Sequence, residues 1–315
     1  MDTKTHTPEV YLLEKYVSLE YFGELRDTWT MMVKHLEICL DAYMRNLHAN
    51  YRSKPLPEQP DIVWGNRVLP NFRESLQGLH QGVILLTHGD FKGLTFAHGP
   101  RSDFKGQMDY WSGWMPRADE NLYKEYLNRC GEMAHNIVMT EGAYWDYLPS
   151  SHYVDCLVPV SKPARWPAYR INTVVTVESG KKTQKSGIYI ANVPQSCAQF
   201  LSTNHSEAPA ARVLVGYQDL LHPTTGEKYD EQPVFDEQPC VWYLVERSSE
   251  SDVDTPRDDK YQSSRVLPGD KCPKTGYYFT PAHPDSRRVF HEDEMMPDVA
   301  SVYGNAIWQW DENQA

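Results

Sequence analysis

The sequence lacks most of the patterns that announce a chemistry. Its six cysteines, Cys39, Cys130, Cys156, Cys197, Cys240 and Cys272, stand far apart with no CxxC, which reads as reduced thiols rather than a disulfide frame. No HExxH, GxSxG, GxxxxGK[ST] or Gly-rich dinucleotide fingerprint occurs in its 315 residues. No stretch approaches the roughly 18 consecutive apolar residues that a membrane span requires. The opening "MDTKTHTPEVYLLEKY" has no basic leader followed by an apolar run, so the expected compartment is the cytoplasm. Positive charge is also scarce: 31 Lys and Arg against 43 Asp and Glu leave a formal charge of −12. That sign argues against a nucleic-acid partner, which demands a basic footprint, and suits a basic protein.

What is present is the composition of a folded protein, 40% hydrophobic and 12% aromatic. The length suggests two domains of about 150 residues each. The first half reads as helical. Thr7 before Pro8 and Glu9 is a helix start. Trp29, Met32, Val33, Leu36, Cys39, Leu40, Tyr43, Met44 and Leu47 recur at the spacing of one helical stripe. After the breaker-rich "SKPLPEQPD", a second helix is expected from about Asn71 to Leu86, closed by His88-Gly89, and a third from Asp119 to Tyr147. Asp90-Phe91-Lys92-Gly93 and Asp103-Phe104-Lys105-Gly106 echo each other, too few copies for a repeat and read as two similar turns.

From about Tyr153 onward strands are expected. "AYRINTVVTVE" and "SGIYIANV" flank a polar turn as hairpin partners do, and "ARVLVGYQDLL" and "CVWYLVER" flank "HPTTGEKYDEQP" in the same manner. The fold class read from this pattern is α+β: an antiparallel helical bundle over 1–150, then a mainly antiparallel β region over 151–315. The last part, 264–315, reads as a small SH3-like β-barrel of aromatic strands. The polar tract from Glu246 to Gln262 reads as a loop or linker.

The search for chemistry returns no catalytic residue, metal ligand or cofactor. In "GDKCPKTGYYFTP", Cys272 is followed by Pro273 with no helix start to lower its pKa, and the Lys-Thr pair precedes its glycine, the wrong order for a phosphate loop. "HEDE", His291 to Glu294, offers neither zinc spacing nor the alternating oxygens of a calcium loop. The stronger signal is charge. Between Glu227 and Asp259 lie eleven acids against three bases. Such a surface either solvates a loop or steers a basic protein. The candidate partner-binding residues are Asp230, Glu231, Asp236, Glu237, Asp252, Asp254, Asp258 and Asp259, with Glu292, Asp293 and Glu294 as a second acidic group.

One resemblance adds to this. Gly269, Cys272-Pro273, Gly276-Tyr277-Tyr278, Ser286-Arg287-Arg288, Glu294-Met295-Met296-Pro297, Gly304 and Ile307-Trp308-Gln309-Trp310 resemble the closing module of a family of bacterial polymorphic-toxin immunity proteins, departing from it at Asp293, where that pattern has glycine. The resemblance implies a cytoplasmic, non-enzymatic protein that neutralises a cognate toxin, in particular a nuclease effector of a type VI secretion system, by occluding its active site or substrate groove. An effector chaperone that loads a toxin without inhibiting it, and a hydrolase with an unfamiliar site, are the alternatives. Under this reading Gly269, Cys272, Pro273, Gly276, Tyr277, Tyr278, Trp308 and Trp310 are structural, the glycines and proline shaping turns and the aromatics packing.

Overall fold

The computed structural model describes residues 7–107, 110–146, 166–194, 196–248, 265–266, 269–280, 286–297 and 308–311. It is an α+β protein whose chain divides into two compact units, Met1–Asp252 and Val253–Ala315. The boundary therefore falls at 252/253 and not near 150. The reason is packing: residues of the helices and of the first sheet, among them Tyr169, Ile188, Ile190, Phe200 and Val245, belong to one continuous apolar core.

The helices of the first unit are α1 (Thr7–Tyr16), α2 (Leu19–Arg45), α3 (Leu69–Thr87), α4 (His98–Gly106) and α5 (Arg117–Glu141). Helix α2 begins where Ser18 caps it, its hydroxyl accepting from the Tyr21 amide. The stripe read from the sequence is the buried face: Trp29, Met32, Val33, Leu36 and Cys39 are buried, while Leu47 lies beyond the helix and is exposed. Along α2 the partners on α3 run backwards, Phe22 against Gly82 and Trp29 against Phe72, and those on α5 do the same, Tyr21 with Asn136 and His35 with Asp119. Helix α2 is thus antiparallel to both neighbours. A side chain at Gly82 would collide with the Phe22 ring, so the glycine permits that close approach.

Helix α3 ends as expected, with His88 in the cap and Gly89 at a φ of 76°. Its start lies further upstream than the sequence suggests. An eight-residue π-helical segment, Asp61–Val68, runs directly into it and buries Trp64, whose indole donates to the Trp111 carbonyl at 3.0 Å. The third helix ends at Glu141, short of the expected Tyr147. The two echoed words differ in role: Asp90 caps a 3₁₀ segment, Phe91–Ala97, whereas Asp103-Phe104-Lys105-Gly106 closes α4.

The strands of the first unit are β1 (Tyr169–Glu178), β2 (Gly187–Ala191), β3 (Gln199–Leu201), β4 (Ala211–Leu221), β5 (Lys228–Gln238) and β6 (Val241–Arg247). They form a four-stranded sheet in the order β1-β6-β2-β3 and a separate two-stranded sheet, β4-β5. Both expected hairpins need correction. Strands β1 and β2 are not partners, because β6 lies between them and pairs antiparallel with each. The partner of β4 is "KYDEQPVFDEQ", which reads as loop by composition yet forms an eleven-residue strand. Strand β2 is buried almost throughout: Ile188 and Ile190 face the helical core, while Tyr189 and Ala191 join a second cluster with Leu201, Leu244 and Trp242.

In the second unit β7 (Arg265–Val266), β8 (Gly276–Phe279), β9 (Arg288–Phe290) and β10 (Trp308–Trp310) form an antiparallel sheet in the order β7-β10-β8-β9. Among the described residues this sheet is open rather than closed into a barrel. Its core is Val266, Cys272, Tyr278, Phe290, Met296 and Trp308, with Phe290 edge-on to Trp308 at 4.8 Å and to Tyr278 at 5.9 Å. No helix among the described residues is long and apolar enough to cross a membrane.

Candidate functional site

The acidic residues named above fall into three places. Asp230, Glu231, Asp236 and Glu237 all lie on β5 of the two-stranded hairpin. Its turn is organised by His222, whose Nδ1 accepts from the amides of Thr224 and Thr225 at 3.3 Å, and by Gly226 at a φ of 70°. Its root is fixed to the body. Ala211 and Val213 are buried, Ser196 bridges to Val213, and the Arg212 guanidinium pairs with Asp146 while lying over the Phe235 ring. Away from the root the apolar residues are exposed: Val215 at 59%, Tyr217 at 60%, Leu221 at 55% and Tyr229 at 65%. Beyond the Ser196–Val213 bridge no other described strand pairs with this sheet, and Pro233, opposite Tyr217, has no backbone N–H to donate.

The hairpin carries six acids, Asp219, Glu227, Asp230, Glu231, Asp236 and Glu237, against Arg212 and Lys228. The register divides the candidates. Asp230 stands opposite Leu220, Glu231 opposite Asp219, Asp236 opposite Val213 and Glu237 opposite Arg212. Asp230 and Asp236 therefore share one face, about 20 Å apart along the strand, with Glu237 on the other face. Lys228 and Asp219 form an ion pair at 2.8 Å. The surface offers exposed aromatic anchors within a negative field, which suits recognition of a basic macromolecule by contact.

Glu292, Asp293 and Glu294 occupy a turn of the second unit. The Glu294 carboxylate accepts from the His291 amide at 2.8 Å, Asp293 pairs with Lys271 at 3.3 Å, and the Glu292 amide donates to Thr275 at 2.9 Å. Two of the three carboxylates thus help to shape the turn itself. Asp252, Asp254, Asp258 and Asp259 lie outside the described residues, as does most of the Glu246–Gln262 tract. Glu246 itself belongs to β6. The Lys185 ammonium, with the Asn172 amide, holds its carboxyl below the usual range, so this acid is committed within the unit.

The motif residues of the C-terminal module lie in its turns, strands and core. Gly269 adopts a φ of 87° and donates to the Met296 carbonyl at 2.7 Å. Cys272 is buried with its thiol donating to Lys274 O at 3.1 Å, the same carbonyl that accepts from the Tyr278 hydroxyl. Pro273 lies in the turn between them, and Gly276 opens β8 opposite Phe290. Tyr277 lies under the Arg287 guanidinium at 4.0 Å. Trp308 is buried and donates to the Pro297 carbonyl, whereas Trp310 is half-buried beneath the Lys274 ammonium, 3.6 Å from its ring centre.

Two further features have no counterpart in a sequence motif. A groove of about 490 Å³ in the first unit has an apolar floor that includes Val17, Leu86, Phe91, Ile188 and Phe200. Its rim charges are partnered in place, Glu14 with Arg247 at 3.0 Å and with the Tyr169 hydroxyl at 2.7 Å, and Lys185 with Glu246 at 2.8 Å. The second feature joins α2 to α5. His35 and Cys39 lie one turn apart on α2, and Asp119 lies in the first turn of α5. The His35 Nε2–H donates to the Asp119 carbonyl at 2.9 Å, Nε2 is 4.0 Å from the Asp119 carboxylate, and the Cys39 sulfur is 3.6 Å from the same nitrogen. Burial, followed by the Asp119 charge, pushes the Cys39 thiol up to about 11. The His-x₃-Cys spacing at i, i+4 was the signal that could have drawn attention to this pair; the third member is 80 residues further on in the chain.

No family model, curated protein or solved structure matches the chain.

Proposed function

We propose that this protein is an immunity factor that binds a basic antibacterial toxin and blocks its active site or substrate groove. The observation that carries this reading is the β4–β5 hairpin, anchored at its root and acidic, with exposed aromatics towards its tip. A nuclease effector is the favoured target, because an enzyme that grips a polyanion presents the complementary basic surface. The resemblance of residues 269–310 supports the same reading and suggests a type VI secretion effector met in the cytoplasm. Neither nucleic acid nor membrane is a partner under this proposal, and the protein acts by contact rather than by catalysis. The described thiols fit a binding role. Burial raises Cys39, Cys130, Cys197 and Cys240 above the ordinary thiol range, away from the thiolate a nucleophile needs. The finer architecture belongs to this reading too: a helical bundle carrying the binding sheet, with 264–315 as an SH3-like module.

The test is co-expression with the product of the adjacent gene. Wild-type protein is expected to rescue growth and to co-purify with that product; failure of both overturns the proposal. Reversing Asp230 and Asp236 to lysine together is expected to slow association about tenfold or more at low salt and much less at high salt. An unchanged association rate would remove the hairpin from the interface.

A further inference from the structure

We propose that His35, Cys39 and Asp119 form a binding site for a zinc-class divalent metal ion that clips α2 to the start of α5. The ligand atoms of the three side chains all lie within 4.8 Å of one another. A tetrahedral zinc ion holding sulfur at about 2.3 Å and nitrogen at about 2.0 Å sets those two atoms roughly 3.5 Å apart. The Cys39 sulfur and His35 Nε2 stand at 3.6 Å. The i, i+4 spacing on a regular helix produces this match without any strain in α2.

The remaining adjustment falls to Asp119. Its carboxylate is 4.0 Å from Nε2, and its side chain, 43% exposed, is the freest of the three, against 14% for His35. Its exposure also leaves room for water as a fourth ligand. The donor set selects the metal. One sulfur, one imidazole nitrogen and one carboxylate oxygen suit zinc, cobalt(II) or nickel(II), whereas magnesium and calcium prefer oxygen alone.

Binding exchanges bonds that are already present. The imidazole gives up its hydrogen bond to the Asp119 carbonyl and moves its proton to Nδ1, and the Cys39 thiol releases its proton to solvent as the sulfur–metal bond forms. The metal ties α2 to α5 at the end of their contact opposite the Tyr21–Asn136 hydrogen bond. The site does not depend on the immunity reading.

The test is titration of the reduced full-length protein with cobalt(II). Wild type is expected to develop a near-ultraviolet sulfur-to-cobalt charge-transfer band that saturates at one equivalent and is bleached by zinc. Cys39→Ser is expected to abolish the band. Asp119→Asn, which keeps the backbone carbonyl and alters an exposed side chain, is expected to weaken binding about tenfold or more. No band in wild type overturns the proposal, as does a full band in a folded Cys39→Ser protein. Should Cys39→Ser fail to fold by circular dichroism, Asp119→Asn decides: unchanged cobalt affinity overturns the site, and a weakened one supports it.

Discussion

Cys272 is only 1% exposed, and its sulfur is held against the Lys274 carbonyl in a core of Tyr278, Phe290 and Trp308. Replacing it by alanine removes that contact and leaves a small void. The expected cost is about 1–2 kcal/mol in urea unfolding, and under the proposed function neutralisation of the toxin is expected to stay intact; its loss in a well-folded variant would show a direct role. Asp293, two residues from the start of the β-bridge at Met295, adopts a φ of 67°. Aspartate tolerates this left-handed conformation better than most residues, and a β-branched one does not. Asp293→Val is therefore expected to destabilise the second unit by about 1–2 kcal/mol, measured as a shift in its denaturation midpoint. At this scale much was legible. Proline after Cys272 and the glycine at 269 announce turns because their backbone preferences are local, whereas Gly276 opens a strand. The His35–Asp119 contact was not legible, because a meeting of residues from α2 and α5 leaves no local trace.

Among the elements, α2 and α3 are written plainly in the spacing of their apolar residues, since a helix facing a core must repeat near every 3.6 positions. The strands are harder to read. The turn signal in "HPTTGEKYDEQP" marks a true reversal between β4 and β5, whereas "SGKKTQK" joins two strands that run the same way on either side of β6, which a polar turn composition does not distinguish from a hairpin. The apolar run of β6 found partners on both sides in β1 and β2, and the acidic β5 was left to β4. The β4–β5 hairpin contributes its root alone to a core. Replacing residues 214–235 by a short turn is thus expected to leave the melting temperature of the first unit within about 3 °C of wild type. Under the proposed function, the same deletion is expected to abolish co-purification with the product of the adjacent gene. A large loss of stability would mean that the hairpin is part of the framework.

At the scale of the whole chain, the acids of the described residues are spread over separate elements. Some lie on the hairpin, some on a turn of the second unit, and Glu246 is locked in ion pairs with Lys185 and Arg170. Net charge therefore indicates the sign of a partner more reliably than its footprint. The division of the chain was also hidden, because helices and sheet contribute to one core and composition changes near 150 without a change of unit. A fragment ending at residue 150 keeps α2 and α5 but loses Ile188, Ile190, Phe200 and Val245 from that core. It is expected to be a loosely packed or aggregating species, with weak near-ultraviolet circular dichroism and strong binding of a hydrophobic dye. A folded, monomeric fragment would contradict this.

The position of β6 also has a consequence during synthesis. This central strand of the main sheet is the last of the first unit to be made, so β1 and β2 emerge from the ribosome with the gap between them unfilled. At elongation rates of about 5–20 residues per second, the apolar segment around Tyr189 waits several seconds for Val241–Arg247. Throughout that interval β1 and β2 lack the strand that pairs with both, so a pause in translation upstream of β6 is expected to lower the soluble yield, measured by comparing synonymous slow-codon and fast-codon genes.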